Sequence, residues 1–184
     1  MENLAEWQFD YLTQYLKVTP EHTVFDLSNG ILTLAELLIP YLEPGNYQGN
    51  VVKKMTIRPE IDRTVIDNSD RNPYLDVIQN MQCTTQQPVT LAWEHEVFSH
   101  LAVYDAMLCL ANVAKVADRF VFSYLDQSRA PDRHINDKKS HPEVDFFYTL
   151  NQIETMCKHT GWKQVAPANT QNHPSSKTIL EAIK

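Results

Sequence analysis

Thr23-Val24-Phe25-Asp26-Leu27-Ser28-Asn29-Gly30 is the stretch whose reading decides the fold. Its first half is β-prone, and its second half breaks the strand with polar residues and a glycine. Residues 31–42 then carry Leu34, Leu37, Leu38 and Tyr41 on one side of a helical pattern. Pro44-Gly45-Asn46 supplies a turn, and residues 47–52 read as a second strand. Strand, tight loop, helix, turn and strand with short connections predict a right-handed βαβ unit of a parallel sheet.

Upstream, residues 4–16 place Leu4, Trp7, Tyr11, Leu12 and Tyr15 at spacings of three and four. This predicts an amphipathic helix whose aromatic face docks on the core. Thr19-Pro20 ends it, because a residue before proline is driven out of the helical region. Downstream, the third strand is either 74–78 or 63–66, and periodicity does not choose between them. Residues 89–93 read as a strand, followed by a helix from about 99 to 116 and an apolar strand at 119–125. Residues 126–143 form a long polar loop, of the kind that is often functional. A helix at 150–159 stops at Gly161, 162–166 is a last strand, and 178–184 reads as a short helical end. The division expected is an N-terminal helix (1–19), a main domain (20–168) and a tail (169–184).

Composition narrows the function. With 43% hydrophobic and 21% charged residues over 184 positions, the chain can bury one substantial core. A net charge of -7 and a pI near 5.4 exclude a general nucleic-acid binder, which needs a basic face. No run approaches the ~20 apolar residues that cross a bilayer, and Met1-Glu2-Asn3-Leu4 does not begin a secretory signal. Three widely spaced cysteines, Cys83, Cys109 and Cys157, form no CxxC zinc pattern and read as reduced thiols of a cytoplasmic protein. Four glycines in the whole chain are few for a backbone that grips a nucleotide.

The ordered set Val24 to Gly30, Leu37-Leu38-Ile39-Pro40-Tyr41-Leu42, Gly45 to Gly49, Glu96-Val97-Phe98-Ser99-His100-Leu101 and Phe120-Val121-Phe122-Ser123-Tyr124-Leu125 resembles the class I S-adenosylmethionine-dependent methyltransferases. Phe146-Phe147-Tyr148, Ile153-Glu154 and Gly161-Trp162 resemble that family's closing strand, helix and strand. The resemblance implies an α/β, Rossmann-like methyltransferase sandwich with a largely parallel central sheet and helices on both faces. It also implies S-adenosylmethionine as cofactor, a small-molecule substrate, and no nucleic acid or membrane. The cofactor residues it implies are Asp26, Ser28, Asn29, Gly30, Asn50 and Trp93.

Two departures bear on that site. Ser28 and Asn29 stand where the family carries its D-L-G-C-G loop. The acid that would hold the ribose hydroxyls falls at Val51, which accepts nothing. Asn50 is adjacent but on the other face of the strand. Asp26 keeps the family's first acid and reads equally as a buried carboxylate capping the helix after it. Trp93-Glu94-His95-Glu96 with His100 is the densest titratable cluster. His95 is the candidate general base. Glu94, His95, Glu96 and His100 could alternatively ligate a metal, Glu94 and Glu96 could simply face a helix N-terminus, and His100 could pack. No metal is expected. The competing functions are methyl transfer and an inactive domain that binds a ligand or a protein partner.

Overall fold

The computed structural model describes residues 4–28, 33–52, 63, 65, 67–130, 139–141, 143–168 and 177–184. β1 (Val24–Ser28) pairs in parallel with β2 (Tyr47–Val52) on one side and with β4 (Leu91–Glu94) on the other. β3 (Tyr74–Ile78) extends the sheet beyond β2, and β5 (Arg119–Asp126) extends it beyond β4, again in parallel. β8 (Thr178–Ile183) runs antiparallel between β5 and β7 (Gln164–Pro167). The order is therefore β3-β2-β1-β4-β5-β8-β7, with β6 (Phe147–Tyr148) paired to the end of β5. The βαβ reading of the decisive stretch holds, and the direction of strand addition reverses between β1 and β4.

Every residue of β1 is buried, as expected for a central strand covered on both faces. Alternation sends Val24 to one layer and Phe25 and Leu27 to the other. On the first face lie α1 (Leu4–Asp10), continued by a π-helical turn (Tyr11–Tyr15), and α2 (Ala35–Tyr41). Trp7, Tyr11, Leu12, Leu34, Leu38, Val51 and Trp93 form their core. On the second face α3 (Val103–Val116) and α4 (Leu150–His159) pack Ala106, Cys109, Leu110, Ile153 and Cys157 onto Phe25, Phe120 and Phe122. The aromatic face of the first helix is spent on the core: Trp7 stacks on Tyr11 at 5.3 Å, and Tyr11 lies 5.7 Å from Trp93.

Four readings are corrected or settled. The third strand is Tyr74–Ile78. The first helix ends at Tyr15, and Lys17 just beyond it is left-handed at φ 59°, so the chain has turned before Thr19-Pro20. α3 begins at Val103, because Phe98–His100 form a separate 3₁₀ turn. Residues 178–183 are a strand inside the sheet, not a helical end. Thr178 to Ile183 is too short for its period to separate helix from buried strand, and pairing with β5 overrides the helix propensity of Leu, Glu and Ala. Among the described residues, no helix is long and apolar enough to cross a membrane.

Candidate functional site

Where strand order reverses, a crevice opens beyond the carboxyl ends of β1 and β4. A pocket of about 250 Å³ lies there, just below the range of roughly 300–1,000 Å³ usual for ligand sites. Asp26 and Ser28 line it from β1, and His95 and Glu96 line it from the turn after β4. Leu4 and Gln8 of α1, with Thr33 and Leu34 before α2, complete it.

Asp26 is buried, and its Oδ2 accepts a 2.8 Å hydrogen bond from the Tyr47 hydroxyl. Gly49 gives the tyrosine ring room beside this bond. It pairs with Asp26 across the two strands, and a Cβ on it would overlap Leu75 Cδ2 and lie 3.0 Å from Tyr47 Cε1. The bare backbone leaves room for the tyrosine ring to lie along the strand and reach the acid. Burial pushes Asp26 up to about 7, against the pull of the tyrosine bond.

The turn after β4 is held from three sides. Glu94 is fully buried; its carboxylate accepts the Val97 N–H and, at 3.2 Å, the Ser123 N–H. It thus caps the 3₁₀ turn, close to its reading as a helix-start charge. Burial pushes it up to about 8, although Lys177 and these N–H groups favour the anion. Glu96 has φ 79°, a left-handed conformation rare for a side chain of its size. Its N–H donates to Ser123 Oγ at 3.0 Å, and its carbonyl accepts from Ser99 Oγ at 2.6 Å. Its carboxylate accepts from Lys177 Nζ at 3.0 Å. Burial pushes Glu96 up, but the Lys177 ammonium and His95 outweigh it and hold the carboxyl below its usual range.

His95 is half-buried between two indoles, 6.0 Å from Trp7 and 6.5 Å from Trp93. Beneath it Trp93 donates from Nε1 to Gln8 Oε1 at 3.0 Å, and Gln8 Nε2 donates to Thr33 Oγ1 at 3.3 Å. Gln8 therefore ties α1 to β4 and to the start of α2 across the pocket.

Of the residues expected at a cofactor site, the structure brings Asp26, Ser28 and His95 to one pocket. Trp93 lies below it in the core, and Asn29 and Gly30 fall outside the described residues. Asn50 points to the opposite face of β2, where it clamps Thr84: Oδ1 accepts the Thr84 N–H at 2.8 Å and Nδ2 donates to Thr84 O at 3.0 Å. Val51 pairs with Ser28 and is 1% exposed within the α1–α2 core. His100 packs, its Nδ1 3.3 Å from Val144 O. Among the described residues no three His, Cys, Asp or Glu side chains come together to hold a metal ion. Gln8, Tyr47, Ser123 and Lys177 are not legible as site residues in the sequence. Only the tertiary pairing of strands far apart along the chain brings them there.

No protein-family model matches the chain, and no curated protein matches it. Solved structures do. Magnesium protoporphyrin IX methyltransferase from Synechocystis PCC 6803, with bound S-adenosylmethionine, is similar at TM-score 0.64 and 14% identity, over 98% of this chain and 77% of that one. A putative O-methyltransferase from Nostoc punctiforme PCC 73102 is similar at TM-score 0.66 and 12% identity, over 98% of this chain. The pyocyanin biosynthetic protein PhzM is similar at TM-score 0.64 and 12% identity, over 99% of this chain. The chain has the class I methyltransferase fold. It spans 55% of the length of each of the last two proteins.

On this fold the residues present can be tested against S-adenosylmethionine. The β1–β4 side offers two acidic side chains to a positively charged group such as the donor's ammonium: Asp26, which burial pushes up to about 7, and Glu96, one of whose oxygens is bonded by Lys177. Among the described residues the end of β2 offers no free acceptor to the ribose, since Val51 is apolar and packed and the Asn50 amide is already bonded.

Proposed function

We propose that the chain is an S-adenosylmethionine-dependent methyltransferase acting on a small molecule, with donor and acceptor meeting at the β1–β4 pocket. The observation that carries this reading is the joining of Asp26, Ser28, His95 and Glu96 in one pocket at the strand-order reversal of a methyltransferase fold. When bound, the donor supplies an electrophilic methyl group. The chain's own part is positioning and proton removal. Asp26 and Glu96 orient positively charged groups, α1 walls the pocket through Leu4 and Gln8, and a ring nitrogen of His95 takes the acceptor's proton.

Val51 favours a second reading, an inactive domain that retains the pocket as a ligand site. The loss of two charge-assisted bonds to the ribose would weaken binding by about one to two orders of magnitude each. Calorimetric titration with S-adenosylmethionine and S-adenosylhomocysteine, with Asp26→Asn beside the parent, separates the two. Saturable binding that is weakened at least tenfold in the variant, together with formation of S-adenosylhomocysteine when small-molecule acceptors are added, supports methyl transfer. Heat that is absent at millimolar ligand leaves the second reading.

A further inference from the structure

A turn that needs a positive φ is ordinarily built with glycine, which adopts it without steric cost. After β4 the chain uses Glu96 instead, at φ 79°. The backbone groups on either side are held by Ser123 Oγ and Ser99 Oγ, both on nearly fully buried side chains. Those two bonds fix the turn but leave the glutamate side chain undirected. Lys177, immediately before β8, directs it: its Nζ lies 3.0 Å from Glu96 Oε1 and 3.2 Å from Ser99 Oγ, and its side chain is only 8% exposed. One ammonium thus bonds both the carboxylate and the hydroxyl that holds the same residue's carbonyl. The bridge is made through Oε1, while Glu96 lines the pocket beside His95.

We propose that Lys177 is a positioning residue, which through Glu96 sets the left-handed turn that presents His95 and the second carboxylate oxygen of Glu96 to the pocket. It touches neither ligand nor pocket itself. A buried cation is costly to leave unpaired, and here it is paired with an acid whose backbone is strained. The last strand of the sheet therefore controls the geometry of the turn after the fourth. The proposal gives function to that turn only if the pocket is a ligand site, and so rests on the reading above. The geometry itself can be tested without any ligand.

The test is an NMR titration of the His95 ring in the intact chain, in a double-mutant cycle of Lys177→Met and Glu96→Gln, with Lys177→Arg as the conservative variant. Glu96→Gln removes a nearby anion and lowers the His95 midpoint by about 0.5 unit. Lys177→Met displaces the His95 ring signals in the parent and displaces them by less than half as much once Gln stands at 96, since Lys177 keeps only its neutral amide and Ser99 partners there, while Lys177→Arg restores most of the parent spectrum. An equal effect of Lys177→Met in both backgrounds, or an unmoved His95 spectrum, overturns the proposal and leaves Lys177 a packing residue. Should Lys177→Met not fold, Lys177→Gln, which removes the charge and keeps a polar side chain, is measured with Glu and with Gln at 96 and decides the same question. S-adenosylhomocysteine titration of the same variants separates this proposal from the one it rests on. Absent binding with an intact His95 coupling sinks the methyltransferase reading alone.

Discussion

β1 has two neighbours in parallel register, and their carboxyl ends have opposite character. On the β4 side the chain leaves the sheet through Glu94, His95 and Glu96, where both carboxylates are capped or bridged. On the β2 side it ends in Asn50 and Val51, one side chain turned away to clamp Thr84 and the other buried in an apolar core. The sheet is indifferent to this contrast, because ladder bonds are made by backbone and either end closes the core. The site is not indifferent, since ligand recognition depends on which few side chains stand at strand ends. One seam of this protein keeps polar acceptors facing a pocket, and the other is packing.

The contrast breaks most visibly at Val51. Val51→Asp places a carboxylate where the β2 seam is apolar and closed, and the expected loss is about 3–5 kcal/mol of unfolding free energy. Denaturant melts measure the loss, and no gain in S-adenosylmethionine affinity should accompany it. A variant that melts like the parent and binds the donor at least tenfold more tightly would show that the β2 seam is an open site lacking only its acid.

The next effect tests the seam's shared strand. Asp26 is pushed up to about 7 in the folded chain, by burial first, and returns to an ordinary carboxylate value when unfolded. Between about pH 4 and 7 the unfolded chain therefore releases a proton that the folded chain keeps. Its stabilising contribution is present below that window and is lost as pH rises through 7, on the order of 2–4 kcal/mol. Glu94, raised to about 8, continues the same trend. Denaturation midpoints should fall from pH 5 to 8, and the fall should be shallower in Asp26→Asn. Equal slopes in parent and variant would mean that Asp26 is not the buried acid responsible.

The same contrast explains what can be read from sequence. Val24 to Gly30, the helix after it and Tyr47 to Val52 announce the parallel unit, because their periods and turn residues are local. Val51 is legible as a missing acceptor, since alternation fixes which residue ends the strand on which face. His95 and Asp26 are legible as polar residues at strand ends. What brings them together is not: Tyr47 reaches Asp26 along a stretch where Gly49 leaves room for its ring and for Leu75, and Ser123 and Lys177 reach Glu96 from positions 27 and 81 residues away. The last strand escapes because Thr178 to Ile183 has helix-forming residues and too few of them to show a period. Its pairing with β5 is decided by the rest of the sheet.

The smallest effect concerns the residue shared by both seams. Ser28 pairs with Val51 on one side and lines the pocket on the other. Ser28→Gly removes a Cβ at that point and adds chain entropy to the unfolded state, so stability should drop by about 0.5–1 kcal/mol. If crowding at β1 limits the pocket, affinity for S-adenosylhomocysteine should rise by no more than about fivefold, the equivalent of about 1 kcal/mol. The remaining deficit then belongs to the β2 seam, which the glycine does not touch. A rise of a hundredfold or more, read by the same calorimetry, would relocate the defect: the serine on β1, and not the apolar residue at Val51, would be what limits the pocket.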